Sequence, residues 1–163
     1  MSLVRAFIGI GANLADPERQ VRLAFSALDK IERTSLIAKS SAYRTSPVGP
    51  TQPDYVNAVA ELSTALEPHA LLNVLLAIER QRGRVRTGER WGPRTIDLDL
   101  LLYGDMEINE QGLTIPHAGI SQRRFVLVPL VEIAPDISIP GMGEGAALLA
   151  SCPPGEVELL HHE

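Results

Sequence analysis

The stretch that most constrains this chain is Ile96-Asp97-Leu98-Asp99-Leu100-Leu101-Leu102-Tyr103, an apolar run with carboxylates set at two alternate positions. Alternation is strand periodicity. Read as a strand, Ile96, Leu98 and Leu100 point one way and Asp97, Asp99 and Leu101 the other. At about 3.3 Å of rise per residue the two carboxylates stand roughly 6.6 Å apart on one face. That separation suits two groups sharing hard cations, since paired metals in phosphoryl-transfer sites sit about 3.5–4 Å apart. The plain alternative is a solvated strand face, and the Asp-x-Asp pattern by itself does not decide between them. The residues before it do. Six arginines (80, 82, 84, 86, 90 and 94) and a single acidic residue, Glu89, fall between Arg80 and Arg94, in a chain whose net charge is −5. Guanidinium forks bind phosphate oxygens bidentately, and magnesium favours one or two carboxylates together with phosphate oxygens and water. The pairing points to a polyanion and its divalent counter-ions.

Length and composition narrow the classes. A chain of 163 residues is read as one domain, residues 1–163, long enough to bury a core. No apolar stretch reaches a membrane span, and the start, Met-Ser-Leu-Val-Arg, lacks the apolar core of a signal peptide. Cys152 is the single cysteine, which excludes an intrachain disulfide and argues against a thiolate zinc site. The expected compartment is the cytoplasm. The net negative charge argues against a general nucleic-acid binder, whose surface would be broadly basic.

Taken in order, Val4–Ile10 alternates and predicts a first strand. Gly9-Ile10-Gly11 is a fragment of a dinucleotide fingerprint without its third glycine, and a tight turn is the preferred reading. Asp16-Pro17 reads as an N-cap and first helical residue, and Val21, Ala24, Leu28 and Ile31 share one face of a helix over 17–32. A strand is expected over 36–44. The run 44–54 holds three prolines and a glycine and is expected to be a functional loop. Tyr55–Thr64 alternates again, placing Tyr55 and Asn57 on one face. An aromatic beside an amide can hold a flat heterocycle, although an edge tyrosine and an exposed amide are the commoner outcome. Pro68 opens a second helix that ends at Gly83, with Leu71, Leu75 and Ile78 on its buried side and Glu79 near its end. Glu79 reads equally as a structural ion pair and as a ligand. Residues 83–94 form a second irregular stretch. Trp91, the one tryptophan, sits there between arginines, a poor core address and a fitting one for a lid or stacking ring. A strand over 95–103 and a turn at Gly104-Asp105 follow. Residues 113–117 are expected to be extended, with His117 by default a surface histidine. Phe125–Leu130 reads as core, with Pro129 opening a short helix through Ile133. Ile137–Ile139 is expected as an edge strand, Gly141–Gly145 as a turn, 146–151 as a short helix and 156–160 as a last strand.

The chain has no Gly-x-x-x-x-Gly-Lys-[Ser/Thr], and its lysines are Lys30 and Lys39 alone. Arginines would therefore neutralise any triphosphate. No Gly-x-Ser-x-Gly nucleophile is present, and no cysteine stands near a histidine. Positioning groups and metal ligands without a covalent nucleophile point to direct in-line phosphoryl-type transfer, in which placement and charge neutralisation do most of the catalysis.

Gly83-Arg84-Val85-Arg86 and Arg90-Trp91-Gly92-Pro93-Arg94-Thr95-Ile96-Asp97-Leu98-Asp99-Leu100 resemble the signature of the 6-hydroxymethyl-7,8-dihydropterin pyrophosphokinases of folate biosynthesis. Agreement extends to Ile10-Gly11-Ala12-Asn13-Leu14, Tyr43-Arg44-Thr45, Gln52–Asn57, Leu71-Leu72-Asn73 with Ile78-Glu79, Pro116-His117 and Pro129–Pro135. The resemblance implies an α+β, ferredoxin-like fold: a largely antiparallel sheet packed between helices in three layers, α/β/α. It implies transfer of the β,γ-pyrophosphate of ATP to the hydroxymethyl oxygen of 6-hydroxymethyl-7,8-dihydropterin, with AMP released and two magnesium ions bridging the triphosphate. Asp97 and Asp99 would hold the magnesium. Arg84 and Arg94 would bind the phosphates and act in catalysis beside them. Leu72, Glu79, Thr114, His117 and Arg123 would belong to the ATP site. Thr45, Ser46, Val48, Tyr55 and Asn57 would line the pterin pocket, with Trp91 and Phe125 sandwiching the ring. The family's three flexible loops would correspond to about 10–15, 44–54 and 82–94. The implied partners are these small molecules, with no nucleic acid, no membrane and a monomeric chain.

The sequence departs from the family pattern at Ser46 and Ala118, where relatives carry proline and tyrosine, and at Leu76, where a polar residue is frequent. Two other classes fit the same residues: a nucleotide hydrolase with water as acceptor, and a small RNA- or nucleotide-binding module whose arginines hold backbone phosphates.

Overall fold

A computed structural model describes residues 2–13, 16–45, 54–83, 96–153 and 155–160, apart from the side chains of residues 82 and 83. In chain order the elements are β1 (Val4–Ala12), α1 (Pro17–Asp29), β2 (Thr34–Lys39), β3 (Tyr43–Thr45), β4 (Tyr55–Thr64), α2 (Pro68–Gly83), β5 (Asp97–Tyr103), β6 (Ile108–Glu110), β7 (Leu113–Ile115), α3 (Arg124–Ile133), β8 (Ser138–Ile139), β9 (Gly143–Glu144), α4 (Gly145–Ser151) and β10 (Val157–Leu159). A single 3₁₀ turn, Ile120–Gln122, precedes α3.

The main sheet runs β10-β3-β4-β1-β5, with β2 also paired to β4. Every pairing in it is antiparallel. Counting β2 and β3 as one broken second strand, the order of elements is βαββαβ and the spatial order is fourth, first, third, second. That is the ferredoxin-like arrangement, and it puts α1 and α2 on the same face. Under them lie Ala6, Ile8 and Ile10 of β1, Ala58, Ala60 and Leu62 of β4, and Leu98 and Leu100 of β5. They meet Val21, Ala24 and Leu28 from α1 and Leu71, Leu75 and Ile78 from α2. Burying each large apolar side chain contributes about 1.5–3 kcal/mol, so this layer supplies the main driving force.

The opposite face packs against a second cluster. Phe7, Val59, Leu101 and Leu102 pack there against Val126, Leu127 and Leu130 of α3, with Leu148 and Leu149 of α4 behind. A register shift between Phe7 and Ile8, opposite Leu100–Leu102, brings Leu101 and Leu102 into the same cluster. The result is three layers, α/β/α, as the resemblance implies.

Four expectations need correction. Gly9-Ile10-Gly11 is not a turn, because β1 continues through Ala12. For the same reason residues 10–12 are strand and not loop. The strand expected over 36–44 is two strands interrupted at Ser40–Ala42. Ser40 turns inward there: its N–H donates to the Val59 carbonyl (2.9 Å) and its hydroxyl accepts from the Val59 N–H (2.8 Å). Finally, Pro129 lies inside α3 and does not open it. A proline removes one helical hydrogen bond, and burial of Val126, Leu127 and Leu130 on one side outweighs that loss. Asp16 caps α1 as expected, its Oδ1 accepting from the Arg19 N–H at 3.5 Å.

Candidate active site

The candidate site residues of β1, β4 and β5 lie on the second face. Cross-strand register aligns Tyr43 with Asn57, Asn57 with Gly11, and Gly11 with Asp97. The neighbouring row aligns Val59, Gly9 and Asp99. Paired residues on adjacent strands present their side chains to the same face. The carboxylates therefore share a face with the Asn57 amide, two strands away. At about 4.8 Å per strand the Asn57 and Asp97 backbones stand roughly 9.6 Å apart, with bare backbone between them. The neighbouring side chains leave little room for anything larger. A Cβ on Gly11 would lie 3.0 Å from Asn57 Nδ2, and one on Gly9 would lie 3.3 Å from the Leu101 side chain.

Asn57 is held in place. It is 9% exposed, and its Oδ1 accepts a 2.7 Å hydrogen bond from Thr45 Oγ1. Tyr55 stands two residues earlier on the same face, paired in register with Thr45 and half-buried. The structure thus brings Thr45, Tyr55 and Asn57 together, as the sequence suggests.

Asp97 and Asp99 are half-buried on β5, at the border of the sheet. Glu79 approaches them from α2, around that border. It is 9% exposed, and its Oε2 accepts from the N–H of Leu98 at 2.7 Å, between the two aspartates. Among the described residues no cluster of three or more His, Cys, Asp or Glu could enclose a metal. Two half-buried carboxylates instead fit a cation that completes its shell with water and ligand oxygens, as magnesium does.

Beyond the border of β5, the His117 N–H donates to the Leu101 carbonyl at 3.0 Å, fixing that histidine beside the strand. Its Nδ1 is buried and has no hydrogen-bond partner among the described residues. An orphaned ring nitrogen in that position is a ready contact for a ligand. Arg123 stands at the start of α3 with its guanidinium 5.9 Å from the half-buried Phe125 ring. Thr114 lies exposed on β7, and Leu72 is half-buried on α2. Ser46, Val48, Arg84, Trp91 and Arg94 fall outside the described residues.

Two features escape a reading by residue type. One is the glycine pair of β1, whose alternation with Ile8 and Ile10 was the available signal. The other is Glu132 on α3. Its carboxylate accepts from the Ser41 N–H (3.0 and 3.1 Å), the Ser41 hydroxyl (2.7 Å) and the Tyr43 hydroxyl (2.7 Å). Burial, and then the hydrogen bond and negative charge of Glu132, push the Tyr43 phenol well above its ordinary value.

The fold is matched by solved proteins. One, described as HPPK-DHPS in complex with substrates, aligns with a TM-score of 0.73 at 13% identity over 93% of this chain and 43% of that one. A Plasmodium falciparum HPPK-DHPS with pteroate aligns with a TM-score of 0.72 at 14% identity, over 91% of this chain and 43% of that one. The chain thus spans less than half the length of these proteins, and the likeness is one of fold. Sequence relatives run closer. A 2-amino-4-hydroxy-6-hydroxymethyldihydropteridine pyrophosphokinase of Haemophilus influenzae is 48% identical over 85% of this chain and 86% of its own length. One of the same name from Pseudomonas aeruginosa is 44% identical over 96% of each. Residues 7–135 match the profile of 7,8-dihydro-6-hydroxymethylpterin-pyrophosphokinase, and with that span aligned the chain belongs to this family.

Proposed function

We propose that this chain, as a single monomeric domain of the cytoplasm, transfers the β,γ-pyrophosphate of ATP to the hydroxymethyl oxygen of 6-hydroxymethyl-7,8-dihydropterin in folate biosynthesis. The observation that carries the reading is the shared face. A carboxylate pair and a Thr45–Asn57 hydrogen-bonding pair flank a glycine floor roughly two strand spacings wide. A flat heterocycle fits beside the amide, and a metal-bound triphosphate fits beside the carboxylates.

Asp97 and Asp99 are the residues that would hold two magnesium ions, which when bound with ATP offset the charge of its phosphates. Asn57 and Thr45 read the donors and acceptors of the pterin edge, Tyr55 adds apolar surface, and Trp91 and Phe125 take its two faces. Ser46 and Val48 complete the pocket. Arg84 and Arg94 neutralise the phosphates as the new oxygen–phosphorus bond forms at the β-phosphorus and the bond to the departing AMP breaks. Arg123, His117, Thr114, Leu72 and Glu79 serve the nucleotide, the unpartnered Nδ1 of His117 being the contact with most to gain. No residue need form a covalent intermediate, so the rate comes from alignment and preorganised charge.

Product analysis tests this directly. Incubation with ATP, magnesium and the hydroxymethyl pterin should release AMP in step with pterin diphosphate. ADP as the main product, or phosphate release that ignores the pterin, would reject the reading.

A further inference from the structure

The strand that carries Thr45 is short, and side chains hold it at both ends. β3 has three residues, Tyr43–Thr45, and follows the break at Ser40–Ala42. At its far end the Thr45 hydroxyl donates to Asn57. At its near end the Glu132 carboxylate takes donors from Ser41 and from Tyr43, the residue paired in register with Asn57. β3 pairs with β4 on one side and β10 on the other, over three residues each, and neither pairing ties it to α3. Glu132 sits in the last turn of α3, the same helix that carries Phe125 near its start. One side chain thus ties the helix bearing a proposed stacking ring to the strand bearing a proposed hydrogen-bonding pair.

We infer that Glu132 is a positioning residue for the pterin pocket: through Ser41 and Tyr43 it locks β3 and α3 together, so that the Thr45–Asn57 pair and Phe125 keep a fixed spacing. It touches neither substrate. This inference rests on the pterin reading of Asn57, and the experiment separates the two. A merely stabilising contact by an exposed carboxylate would leave substrate affinities alone once the protein is folded.

The test compares Glu132→Ala, Tyr43→Phe, Asn57→Ala and the Glu132→Ala/Asn57→Ala double variant. Pterin dissociation constants are read by pterin fluorescence, with KM for ATP and kcat measured alongside. Glu132→Ala should weaken pterin binding on the order of ten-fold, since small misplacements of binding groups are costly, and leave KM for ATP within about two-fold. Tyr43→Phe should give a smaller loss of the same kind, and it serves alone if Glu132→Ala fails to fold. The double variant should lose less than the product of the singles, because both act on one pair. Pterin affinity unchanged in Glu132→Ala and Tyr43→Phe, while Asn57→Ala weakens it, would overturn the positioning role alone. An equal rise for both substrates would reduce Glu132 to a structural contact. An unaffected Asn57→Ala would bring down the pocket assignment, and this inference with it.

Discussion

Gly11 and Asp97 lie side by side in register, and each makes a claim that one substitution can check. Glycine is depleted in strands, so Gly9 and Gly11 read in the sequence as a turn. Their reason for being there is visible only once β4 and β5 are in register on either side. Adding a methyl at Gly11 should push the Asn57 amide off Thr45, because the new Cβ starts 3.0 Å from Asn57 Nδ2. Gly11→Ala should raise KM for the pterin by about ten-fold and leave the melting temperature within about 2 °C, since alanine also lowers the entropy of the unfolded chain. A melting temperature lowered by much more, with KM unchanged, would show the floor to be a packing requirement only. Asp97 was marked as a candidate by the arginines that precede it, since Asp-x-Asp alone also fits a solvated strand face. Asp97→Ala should lower single-turnover transfer by about 100-fold or more, in the range seen when a group that stabilises transition-state charge is removed. It should also shift the magnesium dependence to higher concentration. A wild-type rate at ordinary magnesium would reject the metal assignment.

Elements with strong periodicity followed the sequence closely, and those bent by long-range contacts did not. β4 and α2 stand where alternation and helical spacing put them, while α1 stops at Asp29, short of the expected 32, and β5 begins at Asp97 rather than 95. The broken second strand was invisible because its interruption is made by partners far away in the chain: Val59 claims Ser40, and Glu132 claims Ser41. α3 was shortened in prospect by Pro129, whose local preference yields to a buried face. The β6–β7 pairing was likewise missed, since three-residue strands carry too little pattern to read. α1 shows the reverse case, in which a local signal suffices. Asp16 caps it while sitting at φ 60°, in the left-handed region that aspartate tolerates better than most residues. Asp16→Ala loses the acceptor and puts a Cβ-bearing apolar residue in that conformation, and should cost about 1–2 kcal/mol, read as a fall of about 2–8 °C in the thermal midpoint. An unchanged midpoint would mean that α1 is held by its buried face alone.

The whole molecule is a ferredoxin-like sheet with a helix layer on each face, and the candidate site lies on the face that α3 shares. The two sides of β5 differ in polarity, which marked the face in advance, whereas the packing of α3 on that face rests on contacts far apart in the chain. Two phenols link the packed state to pH. Burial raises both Tyr43 and Tyr103 above the ordinary value of 10.0, and nearby carboxylates, Glu132 and Glu67, add to it. Each keeps its proton in the folded protein at a pH where the unfolded chain has released it. The stability they contribute is therefore fully present below about pH 10 and is lost as pH rises through the folded values. Urea midpoints should fall above pH 10, and Tyr43→Phe should make that fall shallower; equal slopes would show that Tyr43 does not contribute. The clamps along β5 have one more outcome. Glu79 occupies the outward N–H of Leu98, and the N–H of His117 caps the outward carbonyl of Leu101. A terminal strand is ordinarily a template on which other chains stack. Here two of those outward groups are already taken, so Glu79 and His117, beside the candidate site, also leave less of this strand for another chain to pair with.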